Sequence, residues 1–372
     1  MTIDRPLLTV FPALQGRVRF EALGDLPTPV QSLERLTDAL ERPNASAWIK
    51  RDDLTSPIYG GNKVRTLEVL FGDALAQGAT RVFATGAFGS NHAVATLLHA
   101  PRVGLEGGAL LFPQPPSEAA AENLRVTLEQ RPALIPLRHW STLPLGMWRA
   151  RRSSEPGERR YIMVPGGATP LGALGYVSAA LELAQQVAAG ALPAPSHVVV
   201  GVGSTCTSAG LLVGLHHAAR LGIGFTQGPP RLVSVRVTPW PVTARARIAW
   251  LAHQTSKRLA DLAEDPSLIV PWRTLHDRLE VDGRFLGAGY GEVTRAGLEA
   301  IRLFEEHAGA RLDTTYSGKS AAAVVHRIRA GARGPLLYWA TKSTAPLPEV
   351  SAAALRDAPA PMRRWLERFE GG

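Results

Sequence analysis

From residue 80 onward, short apolar runs alternate with segments of helical period. Glycines and small hydroxyl residues gather where a run ends and a helix begins. This order constrains the fold strongly, because a strand, a helix and a second strand in succession bring the chain back parallel to itself. Runs over 81–86, 107–112, 133–137, 161–164, 197–202, 231–237 and 336–339 read as strands, and 312–316 as strand-like. Helical periods fill 90–99, 118–130, 171–189, 208–220, 242–262, 294–307 and 320–329, and a closing helix follows. An earlier helix over 64–75 places Leu67, Leu70, Phe71, Ala74 and Leu75 on one face. The sequence therefore predicts an α/β fold of mainly parallel sheets covered by helices on both faces. Helices that follow strands start at the carboxyl edge of the sheet, where ligands bind. The stretch 138–160, rich in Arg, Ser, Pro and Trp, interrupts the pattern and reads as a lid or a surface insertion.

A chain of 372 residues suits two domains, or one large α/β unit with a lobe. No run of about 18 uncharged apolar residues predicts a membrane span. The first residues lack a basic segment followed by an apolar one, so the expected location is the cytoplasm. Cys206 is the single cysteine, which excludes an internal disulfide and a cysteine-rich zinc site; no metal is expected. The net charge of +9 alone does not make a nucleic-acid binder, since no such motif accompanies it. Arg149, Arg151, Arg152, Arg159 and Arg160 read as an anion-attracting face or a solvated loop.

Lysine is scarce: five occur among 41 basic residues, and one of them ends the tetrapeptide Gly60-Gly61-Asn62-Lys63. Lysine, unlike arginine, can lose its proton and form a Schiff base. A glycine turn at the start of a helix is a place where such an amine can meet a bulky group. At the next strand–helix junction, Gly86 to His92, Ser90 reads as a helix cap, with Asn91 and His92 facing the same side. Free N–H groups there suit a carboxylate or phenolate oxygen. A third junction, Gly203-Ser204-Thr205-Cys206-Thr207, reads as a backbone nest for phosphate. It is neither a nucleotide P-loop nor a dinucleotide fingerprint. Cys206 within it reads best as a small packed residue. Tyr290 and Tyr316 stand in two further glycine-rich loops, where a nearby cation would lower their pKa values and let them shuttle protons.

Together these segments resemble the pyridoxal-phosphate enzymes of fold type II, and more narrowly the family of D-cysteine desulfhydrase and 1-aminocyclopropane-1-carboxylate deaminase. The same order includes Leu26-Pro27-Thr28-Pro29-Val30, Ile49-Lys50-Arg51-Asp52-Asp53 and the glycine-rich run from Pro165 to Tyr176. The resemblance implies a large cofactor domain (1–66 with 177–372), a small domain (67–176) and a homodimer. It implies pyridoxal 5'-phosphate as cofactor, with Lys63 as the Schiff-base lysine. Asn62, Asn91, Gly203, Ser204, Thr205, Cys206, Thr207 and Ser317 would contact the cofactor. Ser90, Tyr290 and Tyr316 would be catalytic, and Ser90, Asn91, His92 and both tyrosines would face a small amino-acid substrate. Ser317 stands where the deaminases have glutamate, and His92 where they have glutamine. A hydroxyl opposite the pyridine nitrogen favours β-elimination over ring opening. The expected activity is thus a D-cysteine desulfhydrase-like lyase giving a keto acid and ammonia, with ring opening or β-replacement as alternatives. One departure is Ala340-Thr341-Lys342-Ser343 in place of a His-Thr-Gly-Gly motif, which brings a lysine toward the cofactor's surroundings.

Overall fold

In the computed structural model, which describes residues 4–152 and 156–369, the apolar runs pair into two sheets. The strands among these residues are β1 (Val30–Ser32), β2 (Ala47–Arg51), β3 (Arg81–Ala87), β4 (Glu106–Phe112), β5 (Ala133–Pro136), β6 (Arg160–Ile162), β7 (His197–Val202), β8 (Arg231–Arg236), β9 (Leu279–Asp282) and β10 (Leu336–Ala340). One sheet has the order β1-β2-β10-β7-β8-β9 and the other β5-β4-β3-β6. Only β1 against β2 is antiparallel; the remaining pairs are parallel, as the alternation of strand and helix requires.

Both faces of the larger sheet are covered. Val198 and Val200 of β7 pack with Leu337 and Trp339 of β10 against the helices Pro170–Ala188, Cys206–Arg220 and Arg245–Ala263. Val199 and Tyr338 point the other way, into a cluster with Phe304 of helix Arg295–Ala308 and Val324 of helix Ser317–Arg329. A strand buried on both faces needs side chains that are apolar at every position, which is why β7 and β10 read as unbroken runs. The smaller sheet packs Val82, Ala84 and Leu111 against Leu67, Leu70 and Phe71 of helix Asn62–Ala76. The C-terminal helix Ala360–Leu366 returns to this cluster through Met362, Trp365 and Leu366. Each such fully buried side chain contributes roughly 1.5–3 kcal/mol.

Three expectations are corrected. Residues 312–316 form turns, not a strand, because the Asp313 carboxylate takes the backbone N–H groups of Thr315, Tyr316 and Ser317 that a sheet partner would need. The stretch 138–160 carries regular structure. It contains helix Leu143–Arg152, which joins β5 to β6 and seats Ala150 beside Phe83, Leu110 and Ile162; residues 153–155 lie outside the described part. Arg149, Arg151 and Arg152 occupy the last turn of that helix and Arg160 lies in β6, so only Arg159 of the five arginines stands in a loop. The closing helix is two short ones, Ala352–Arg356 and Ala360–Leu366. No helix among the described residues is long and apolar enough to cross a membrane. The carboxyl ends of β3 and β7 run directly into Ser90 and Ser204, and that of β10 into Lys342.

Candidate active site

The lysine turn is held from below by backbone. Gly61 N–H donates to the Asp52 carbonyl at 2.8 Å, and Asn62 N–H to the Thr341 carbonyl at 2.9 Å. Gly60 N–H donates to Ser343 Oγ at 2.9 Å. Gly61 has φ of 89°, and a Cβ there would stand 2.5 Å from Thr341 O, so only glycine fits. Lys63 follows as the second residue of helix Asn62–Ala76. Its Nζ would lie 3.4 Å from a Cβ on Gly166, whose own φ is 65°. Burial pulls the Lys63 pKa below its ordinary value, against a smaller opposing pull from Cys206. A desolvated amine without a carboxylate partner keeps a neutral, nucleophilic fraction at lower pH than a solvated one.

Beside it lies the loop from Gly203 to Thr207, where helix Cys206–Arg220 begins. The backbone N–H groups of Thr205, Cys206 and Thr207 have no acceptor among the described residues, as expected at a helix start. Thr205 takes φ of 75°, a left-handed conformation that only a specific constraint maintains in threonine. Asn62 Nδ2 donates to Thr207 Oγ1 at 2.9 Å, tying the nest to the lysine turn. The Cys206 side chain turns away: Sγ lies 3.4 Å from the Gly167 carbonyl, and burial pushes the thiol pKa up, so it packs as an inert thiol.

Ser90 caps helix Asn91–His99, its Oγ accepting from Ala93 N–H at 3.3 Å. The N–H groups of Asn91 and His92 have no acceptor among the described residues. Asn91 Oδ1 accepts from Tyr59 Oη (2.7 Å), Asn123 Nδ2 (2.8 Å) and Lys342 Nζ (2.8 Å). Three donors on one oxygen fix the amide, leaving its Nδ2 as the group offered to a ligand. His92 is 2% exposed, and neither ring nitrogen has a partner. Burial and then the charge of Lys63 pull its pKa down to about 3, so the ring is neutral.

Across the cavity, Tyr290 and Tyr316 share a hydrogen bond between their hydroxyls, ring edge to ring face. The lowered pKa values expected for them are not found. Burial raises both, and Tyr316 is raised further by Tyr290 and Asp313. Lys319 anchors the first tyrosine's loop, its Nζ donating to the carbonyls of Leu286 (2.7 Å) and Gly289 (3.0 Å). Ser317 is buried at the start of its helix, its hydroxyl bonded to the Asp313 carboxylate and accepting the Asp313 N–H at 2.7 Å. The cavity between the tyrosines and the helix start is lined by Asn91, Asn123, Tyr290, Asp313, Tyr316 and Lys342. The structure thus gathers Lys63, Asn62 and the 203–207 nest on one side, and Asn91, Tyr290 and Tyr316 around the cavity. Tyr59 and Asn123 carry no signal of their own in the sequence: Tyr59 stands just outside the Gly60–Lys63 tetrapeptide and Asn123 lies within a helical period.

A model of the pyridoxal-phosphate dependent enzyme family matches residues 22–336. The chain belongs to that family. It is 36% identical over 341 residues to D-cysteine desulfhydrase of Salmonella paratyphi C, covering 89% of this chain and 94% of that one. The enzyme of the same description from Salmonella newport is 35% identical over the same length. Among solved structures, an ACC deaminase homologue is 28% identical with a TM-score of 0.73, covering 92% of this chain and 96% of that one. A fungal L-serine ammonia-lyase from Rhizomucor miehei, at 17% identity and a TM-score of 0.54, shares the fold. The resemblance drawn from the motifs is therefore borne out, as are the α/β fold of type II and pyridoxal phosphate as the family's cofactor. The residues present fit that cofactor: a desolvated amine for its aldehyde, unpaired N–H groups at a helix start for its phosphate, and a fixed amide donor on Asn91.

Proposed function

We propose that this enzyme is a lyase that removes a β-substituent from a small amino acid, releasing a keto acid and ammonia, with D-cysteine as the first substrate to test. The observation that carries the reading is the placement of Lys63, desolvated on a glycine turn and joined through Asn62 to the unpaired N–H groups of the 203–207 nest. The relatives named D-cysteine desulfhydrase support the substrate class. Pyridoxal phosphate, when bound, supplies an electron sink for negative charge at the substrate Cα.

The chain's own residues then divide the work. Lys63 would hold the cofactor covalently, and once displaced by the substrate amine its Nζ would take the Cα proton. Gly203, Ser204, Thr205, Cys206 and Thr207 would hold the phosphate through backbone N–H groups, with Asn62 bracing Thr207. Asn91 Nδ2 would donate to the phenolic oxygen, and Ser317 would face the pyridine nitrogen. Ser90 and the free N–H groups of Asn91 and His92 would receive the substrate carboxylate, beside the neutral His92 ring. The tyrosine pair, held in the hydroxyl form, would deliver a proton to the leaving group. A cytoplasmic homodimer, divided into residues 1–66 with 177–372 and residues 67–176, accompanies this reading.

An absorbance spectrum tests it. Purified protein mixed with the cofactor should show a visible band that Lys63→Ala abolishes. Keto-acid release should follow addition of D-cysteine and exceed that from 1-aminocyclopropane-1-carboxylate. A protein that stays colourless, or one that opens the ring and leaves D-cysteine intact, overturns the reading.

A further inference from the structure

The active-site cavity holds a cation for which the reading above has no use. Lys342 follows β10, and an antiparallel bridge to Gly61 sets it directly beside the Lys63 turn. Its Nζ donates to Tyr59 Oη at 2.9 Å and to Asn91 Oδ1 at 2.8 Å, and lies 5.1 Å from the centre of the Tyr59 ring. An ammonium has three N–H groups, so one is left over. Among the described residues the one lysine–carboxylate pair within 4 Å joins Lys50 to Glu182, so no carboxylate stands in ion-pair contact with Lys342, and Asp313 and Glu122 act on it only from farther off. Asp313 shares the cavity lining, but its carboxylate is committed to the N–H groups of Thr315, Tyr316 and Ser317 and to the Ser317 hydroxyl. Burial pulls the Lys342 pKa down, but Tyr59 and Asp313 outweigh it, and the group stays charged under conditions in which Lys63 can be neutral.

A half-buried cation bonded only to neutral oxygens is an incomplete arrangement that an oxyanion would complete. The substrate's α-carboxylate has other donors in Ser90 and the helix start behind it. We propose that Lys342 forms an anion subsite for a second acidic group, so that the preferred amino acids carry a carboxylate or phosphate on the side chain. This rests on the reading of the site as that of a pyridoxal-phosphate lyase. It makes Lys342 the residue that sets specificity, and it ranks a neutral small amino acid below an anionic one of similar size.

Aspartate and asparagine, equal in shape and unequal in charge, test it without a leaving group to complicate the result. Both hands of each are titrated into the cofactor-loaded enzyme by visible absorbance and calorimetry. Aspartate of one hand should bind at least about tenfold tighter than asparagine of the same hand. Lys342→Met should bring the two within about twofold, while Lys342→Arg keeps the preference. Equal affinities in the loaded wild type, or a preference that survives Lys342→Met, overturn the subsite. Equal weakening of both ligands in Lys342→Met overturns it too, by assigning the cation to the α-carboxylate. A wild type that takes up no cofactor instead fails the lyase reading itself.

Discussion

The Asp52 carbonyl accepts the Gly61 N–H at 2.8 Å, and this bond fastens the lysine turn to a buried ion cluster. The same residue's carboxylate receives Arg65 (2.8 Å), Tyr176 Oη (2.7 Å) and Trp339 Nε1 (2.7 Å). Arg65 also pairs with Glu182, which in turn pairs with Lys50 at 2.6 Å. The cluster thus ties β2, β10 and two helices together beneath the Lys63 turn. Removing one partner of a buried pair leaves the other charge uncompensated. Asp52→Asn should therefore lower stability by about 3 kcal/mol or more and reduce cofactor uptake at a fixed cofactor concentration. The unfolding midpoint and a cofactor titration read the two effects separately.

Acid should attack this cluster through Glu182. Burial opposes its ionisation, but Arg65 and Lys50 outweigh burial and hold its pKa at about 2, against 4.5 for a free glutamate. The folded state therefore binds the proton more weakly than the unfolded state. The stabilisation is full above about pH 4.5 and is lost as pH falls toward 2. Glu182→Gln should be less stable at neutral pH and should show a shallower loss of stability between those limits. An unchanged acid limb in the variant would remove Glu182 from this role.

Gly166→Ala should damage cofactor binding beyond its cost in backbone stability. The added Cβ would stand 2.3 Å from Ser204 Oγ and 3.4 Å from Lys63 Nζ, at a φ of 65°. Left-handed backbone costs an alanine roughly 1 kcal/mol, and the contact displaces the nest besides. Gly16→Ala is the matched control, with φ of 77° and nothing within 4 Å. Cofactor affinity should fall at least about tenfold in the first variant and stay unchanged in the second, though both should lose similar backbone stability.

The fold and the glycine turn that carries Lys63 were legible because each leaves a local signal: a two-sided apolar strand, a helical period, a glycine turn before an amine. The Tyr59–Asn91–Asn123–Lys342 group was not, since its members come from four separate segments and meet only when β10 lies beside β2 and its end bridges Gly61. Lys342 was visible as a departure from a motif, but its direction depends on that tertiary contact. Residues 312–316 misled for the opposite reason. Their alternation suits a strand, and a single side chain, Asp313, diverts the backbone into a turn. Helix Leu143–Arg152 was hidden by Pro144 and a run of arginines, which mask the buried stripe of Gly146 and Ala150.

Lys319 should act on catalysis through Tyr290 alone. Its Nζ holds the carbonyls of Leu286 and Gly289, so Lys319→Met frees the loop that carries the tyrosine. Lys63 and the 203–207 loop lie on other elements, so the cofactor's visible band should be kept. A displacement of about 1 Å at a proton donor can lower turnover about 100-fold. The expected signature is a fall in kcat with the band and the cofactor affinity intact; loss of the band instead would make Lys319 a determinant of the fold and not of Tyr290.

The tyrosine pair should stay protonated throughout the working pH range. Burial raises Tyr290 above the ordinary value of 10.0, and Tyr316 is raised well above it by burial, then by Tyr290 and Asp313. Tyr161, Tyr176 and Tyr338 are raised as well, each with burial as the largest cause. Of the six tyrosines in the chain, five should therefore resist ionisation while the protein is folded. A titration at 295 nm should show far fewer tyrosinates at about pH 10.5 in the folded protein than in denaturant. The alkaline limb of kcat should accordingly not follow a phenolate. If Tyr290→Phe removed a limb centred near pH 8, the pair would be titrating in the working range, and its role as a standing hydroxyl donor would be wrong.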